Sequence, residues 1–337
     1  MPLHPATIRQ RAGDDLEASV CLADGHPATD VLGAPYTAET LELPDDEEGR
    51  VVATLVRRPV GRRTTKAVLH VHGFADYFFQ TAYAEWWNDR GYDFFALDLR
   101  KYGRSILPHQ TPNYVADLAH YYPELDLAWE RVTSGHRHVV LSGHSTGGLT
   151  LPLWADARGT EARGIVLNAP WFDLAGSAWM RLGLTPVVQQ VAKRQPMRVI
   201  PRTVTGLYAR SLHRDHEGEW DFDLDWKPIE SWPAYAGWLA AIRRGHADLH
   251  RGLSLTFPAL VLSSTASANP LQMGEDVHST DIVLDVAQIR RWSPFLGHHV
   301  TYIAIEGARH DVFLSREAPR TRAFGELARW VTTYVET

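Results

Sequence analysis

The chain has 337 residues, enough for one large α/β domain carrying an insertion or for two domains. Apolar residues make up 45% and charged residues 22%, an ordinary globular balance, and no apolar run approaches the length of a membrane span. The formal net charge of −6 leaves no basic footprint for nucleic acid, and a single cysteine, Cys21, excludes an intrachain disulfide framework.

The start, Met1-Pro2-Leu3-His4-Pro5, lacks the basic-then-apolar layout of a signal peptide, and one cysteine fits a reducing compartment, so a cytoplasmic location is expected. Residues 1–35 show no period and stay unassigned. From Tyr36 the signals sharpen. Thr40–Leu43 alternates, residues 44–50 form a polar turn, and Val51–Val56 is rich in β-branched residues, which together predict an antiparallel hairpin. Ala67–Val71 is an apolar strand running into His72-Gly73-Phe74. A helix is expected around Ala82–Asp89, a strand at Asp93–Asp98, a long helix over Tyr114–Val132, and strands at Val139–Leu141 and Gly164–Asn168. Strands alternating with helices imply βαβ units and a mostly parallel sheet.

The rhythm stops between Trp171 and about Thr256, a stretch with five prolines and the tryptophans Trp171, Trp179, Trp220, Trp226, Trp232 and Trp238. It resumes with strands at Pro258–Leu262 and Val300–Ile305 and a last helix over Ala318–Tyr334. The expected organisation is therefore a first core part at 36–170, an insertion at 171–256, and a second core part at 257–337.

The chemistry centres on Gly143-His144-Ser145-Thr146-Gly147, which reads G-x-S-x-G between a strand and a helix. A serine on so tight a turn has strained backbone angles, and only small residues two positions either side leave room for it. Ser145 reads as a nucleophile. A serine hydroxyl needs a base, and the base needs an orienting carboxylate. His310 lies just after a predicted strand, at the end where α/β sheets place catalytic groups. Asp276, Asp281 and Asp285 compete for the acid. His213-Arg214-Asp215-His216 and Asp221-Phe222-Asp223-Leu224-Asp225 fail the spacing tests for a metal, so no metal is expected. Trp220–Trp226 alternates strictly, which in an extended chain puts four apolar side chains on one face, either packing the insertion or lining an acyl pocket.

Taken together, His70–Phe74, Asp98–Ser105, Gly143–Gly147, Asp281–Asp285 and Gly307–Asp311 resemble the α/β-hydrolase family from about residue 36 onward. The likeness is to its branch of monoacylglycerol lipases, lysophospholipases and serine aminopeptidase-like hydrolases. That resemblance implies a mostly parallel sheet with helices on both faces, and an inserted lid at 171–256. It also implies the chain order nucleophile, acid, histidine: Ser145, Asp281 and His310. The backbone amides of Phe74 and Thr146 would form the oxyanion hole, and no cofactor is called for. His70 and His72 are expected to be structural or to line the site. The expected substrate is a small or lipid-like ester with an apolar acyl group, with no nucleic-acid partner and no membrane anchor. An amidase or aminopeptidase on the same fold, and a non-catalytic binding protein, are the alternatives.

Overall fold

The computed structural model describes residues 27–176, 178–201 and 205–336; Cys21, the Met1–Pro5 stretch and the side chain of Trp179 lie outside them. Among the described residues nine strands form one sheet in the order β1-β2-β3-β5-β4-β6-β7-β8-β9. Ala28–Thr29 (β1), Thr37–Asp46 (β2) and Gly49–Arg58 (β3) run antiparallel at one edge, with Leu41 opposite Ala53. The turn between β2 and β3 closes at Gly49, whose φ of 105° lies in the region that favours glycine. The remaining strands are Lys66–Val71 (β4), Asp93–Asp98 (β5), His138–His144 (β6), Gly164–Asn168 (β7), Ala259–Ser264 (β8) and Val300–Ile305 (β9). Each is parallel to its neighbours, apart from the antiparallel join of β3 to β5.

The strand sequences are nearly continuous apolar runs because both faces of the sheet are covered. Leu69, Leu97, Leu141, Ile165 and Val261 point to one face, and their immediate neighbours Val68, Ala96, Val140, Val166 and Leu260 point to the other. The first face packs against Tyr122–Thr133 (α2) and Gly147–Arg158 (α3), and the second against Thr81–Asp89 (α1) and the last long helix.

The expected helix over Tyr114–Val132 is shorter than its pattern. It begins at Tyr122, after a 3-10 turn over Leu118–Tyr121. Two local effects account for this. The Asp117 carboxylate accepts the Ala119 amide and starts a separate turn, and Pro123, which has no amide to donate, occupies the first helical turn.

Between β7 and β8 the chain carries Ala178–Arg194 (α4), Leu207–Leu212 (α5) and Ala236–His250 (α6), with only isolated bridges besides. This segment has two kinds of packing. α6 is part of the main core: Ile242 and Leu249 are buried there, and Gly245 lets α6 approach Leu118, Leu149 and Leu153 where a Cβ would clash. α5 and the loop after it pack instead over Tyr77, Phe79 and Leu314, a separate cluster. After β8 come Glu275–Ser279 (α7), Val286–Trp292 (α8) and, past β9, Glu317–Trp330 (α9). Among the described residues no helix is long and apolar enough to cross a membrane.

Candidate active site

Ser145 follows β6 directly, with a φ of 51°. Its backbone is held from both sides: its amide donates to the Asn168 carbonyl at 3.0 Å, and its carbonyl accepts the Trp171 amide at 2.9 Å. The glycines of the motif are required by close approach. A Cβ on Gly143 would lie 2.8 Å from the Gly147 carbonyl, and one on Gly147 would run into the carbonyls of Val71 and His72. The strained serine is thus imposed by backbone packed against backbone, with helix α3 starting immediately behind it. Thr146 stands at the N-terminal cap of α3, where amides lack intrahelical acceptors. Phe74, on the loop after β4, borders the same cavity as Ser145 and Thr146.

His310 and Asp281 come from separate loops and meet in the interior. His310 Nδ1 lies 2.9 Å from Asp281 Oδ2, with the histidine 3% exposed and the aspartate fully buried. The other oxygen, Asp281 Oδ1, accepts the amides of Val283 and Leu284, both at 2.8 Å. A buried carboxylate so engaged fixes the ring orientation and keeps the proton on Nδ1, leaving Nε2 as the basic nitrogen. The competitors stand elsewhere. Asp285 caps α8 by accepting the Ala287 amide, and Asp276 is exposed on α7. His144, between the glycine and the serine, has its pKa lowered by burial, and its Nδ1 faces the Asn168 carbonyl at 3.0 Å. His70 bonds the Ser142 hydroxyl inside the sheet, and burial drives its pKa down to about 3. His72 donates from Nδ1 to the Gly73 carbonyl and accepts the Leu99 amide at Nε2. Both are scaffold residues.

Residues 62–270 match the family described as Serine aminopeptidase, S33. The chain belongs to that family. It is a serine hydrolase of the α/β-hydrolase fold. No curated protein matches it by sequence. Among solved structures it is similar to a soluble variant of monoglyceride lipase from Saccharomyces cerevisiae in complex with a substrate analog. Identity is 17% over 88% of this chain and 96% of that one, with a TM-score of 0.63. It is also similar to the monoacylglycerol lipase of Paleococcus ferrophilus, at 18% identity over 83% and 99% of the two chains, TM-score 0.58. A third neighbour is a thermostable carboxyl esterase from Bacillus coagulans in complex with glycerol, at 15% identity over 88% and 99%, TM-score 0.61.

In this hydrolase Ser145 and His310 border a cavity of about 440 Å³. Its walls are largely apolar, with Phe74 and Trp238 in ring contact at 4.2 Å and Trp171 beside Trp238 at 5.8 Å. Of the inserted tryptophans, Trp171 and Trp238 reach this cavity. Trp220 and Trp226 pack against the cluster of Tyr77, Phe79 and Phe222 instead, so the alternating segment packs the insertion. Its backbone is extended only as far as Asp223, whose carboxylate accepts the Asp225 amide and turns the chain.

Three residues that line the cavity, Asp76, Tyr208 and Lys227, carry no signal in the sequence. Lys227 Nζ lies 2.9 Å from Asp76 Oδ1, both buried, one from the insertion and one from the loop after β4. Burial works against the Asp76 carboxylate, yet the Lys227 ammonium beside it prevails and holds its pKa at about 2. Asp76 follows Phe74 by two positions, but nothing local marks its partner 151 residues away. Tyr208 packs edge-on to His310 at 5.5 Å, and its hydroxyl accepts the Asp311 amide. The histidine-aspartate run 213–216 is occupied locally: His213 Nε2 bonds the Phe222 carbonyl and Nδ1 accepts the Asp215 amide.

Proposed function

We propose that this hydrolase cleaves carboxylic esters through an acyl-enzyme. Ser145 Oγ attacks the ester carbonyl while His310 Nε2 takes its proton. The tetrahedral oxyanion is held by the amides of Phe74 and Thr146. Collapse expels the alcohol, which leaves with the proton from His310. Water, deprotonated by the same histidine, then attacks the acyl carbonyl, and Ser145 departs with that proton to free the acid. Asp281 keeps the imidazole oriented and stabilises its charged form. The observation that carries the reading is the buried His310–Asp281 hydrogen bond beside a strained serine in one apolar cavity.

An ester suits the cavity better than a peptide with a free amine. Among the described residues Asp76 is the one acidic side chain lining the cavity, and Lys227 already neutralises it, so no fixed negative charge awaits an ammonium group. The names monoglyceride lipase and carboxyl esterase among the solved neighbours point the same way. The apolar walls favour an apolar acyl group, and residues 171–256 act as the lid that supplies part of them.

The test uses a fluorophosphonate label, a panel of esters of rising chain length and a set of aminoacyl anilides. The wild type should be labelled and should hydrolyse the esters, whereas Ser145→Ala should keep its fold and lose both properties. Retention of more than a few per cent of turnover by Ser145→Ala would sink the assignment. Faster anilide than ester turnover would favour the aminopeptidase, and an unlabelled wild type would favour a binding protein.

A further inference from the structure

The loops that carry His310 and Asp281 meet at a second side-chain contact, one step away from the first. Arg309 immediately precedes His310 and is 3% exposed. Its guanidinium has no carboxylate partner among the described residues. Nη1 donates to the Leu314 carbonyl at 3.0 Å, Nη2 donates to His278 Nδ1 at 2.7 Å, and Nε has no partner. The one carboxylate whose charge acts on Arg309, Glu219, is engaged with Arg320. His278 stands on α7, three residues before Asp281.

An arginine can only donate, so His278 Nδ1 must accept, and its ring is neutral with the proton on Nε2. Protonating His278 would set an N–H against the guanidinium and leave a second donor of a buried cation without an acceptor. The charged groups that face His278 are Arg309, Arg316 at the start of α9, Glu275 on α7 and Glu217 from the insertion. Arg316 is already paired with Glu275 at 2.8 Å. Burial first, and then the two arginines, hold the His278 pKa below its ordinary value.

We propose that His278 is a positioning residue: as the neutral acceptor of Arg309 it clasps the acid-bearing loop to the histidine-bearing loop, and its protonation opens the clasp and lowers turnover. The inference rests on the ester-hydrolase reading of Ser145, His310 and Asp281. The mechanism alone predicts one proton on the acid side of the pH profile, that of a single general base. The clasp adds a second, from a side chain that touches no substrate.

The experiment measures kcat, KM and the rate of fluorophosphonate labelling across pH for wild type, His278→Gln and His278→Ala. Wild-type kcat/KM should fall about tenfold per pH unit on the acid side, with one further drop of about tenfold in total where His278 takes up its proton. Glutamine accepts through its amide oxygen without titrating. His278→Gln should therefore stay within about threefold of wild type at about pH 8 and keep the one-proton slope throughout. His278→Ala should lose roughly tenfold in kcat with KM little changed, a loss that glutamine rescues. An acid limb without the extra drop in the wild type, the same drop in His278→Gln, or full kcat in His278→Ala would overturn the clasp. His310→Gln serves as the separate control: if it still labels at the wild-type rate, the triad reading itself fails.

Discussion

At the scale of single residues, the choice of acid separates three aspartates by what each carboxylate already does. Asp281 is buried, accepts two amides and holds His310. We expect Asp281→Asn to reduce kcat by roughly 10³-fold or more, because the amide favours the wrong histidine tautomer. Asp285 is a helix cap, a role asparagine fills equally well, so Asp285→Asn should leave both turnover and stability close to wild type. Asp276→Asn, at an exposed site, should also leave turnover near wild type. Steady-state kinetics of the three variants decide the matter, and a crippled Asp276→Asn or Asp285→Asn beside an active Asp281→Asn would reverse the assignment. The serine motif was legible at this scale because its cause is local: the glycines are demanded by backbone carbonyls within one turn and its neighbouring strand.

At the scale of elements, the inserted segment is bound to the core at several points. Lys227 pairs with Asp76, the Asp223 amide donates to the Tyr77 hydroxyl at 2.7 Å, and Trp220 Nε1 donates to the Leu314 carbonyl at 3.0 Å. The ion pair has a pH signature. The folded pKa of Asp76 is depressed, so its contribution is present above the unfolded value and is lost as pH falls from about 4 toward about 2, amounting to ~2 kcal/mol. Chemical unfolding across that range should show the wild type losing this much more stability than Asp76→Asn/Lys227→Met, and equal losses would remove the pair from the account. Lys227→Met alone strands a buried carboxylate and should cost about 3–5 kcal/mol. The lid proposal is best tested by one side chain. Excising 171–256 would also remove α6, whose Ile242 and Leu249 belong to the main core. Trp238→Ala enlarges the cavity beside Phe74 and should shift the preferred acyl chain toward bulkier groups, whereas an unchanged chain-length profile would place the acyl group elsewhere.

At the scale of the whole molecule, β4 and β6 sit side by side at the middle of the sheet, and the residues that follow them supply Phe74 and Ser145. His310 follows β9 at the far edge, and Asp281 follows β8. Parallel strands bring all four to one end of the sheet, which is why segments 236 residues apart, Phe74 and His310, border one cavity.

From Tyr36 onward the chain by itself determined the strands, the alternation of βαβ units and the serine turn, because short apolar runs between turn signals and steric exclusion act over a few residues. It also marked where the rhythm breaks, since prolines and clustered tryptophans leave a compositional trace. What the insertion does was decided only by tertiary packing. Ile242 and Leu249 of α6 joined the main core while Leu212 of α5 packed over Tyr77 and Phe79, and Trp238 and Tyr208 from the same two helices came to border one cavity. The same holds for Lys227 with Asp76 and for Arg309 with His278. A charge or an acceptor in a sequence has no partner until two distant loops are folded against each other, and burial then makes the pairing obligatory.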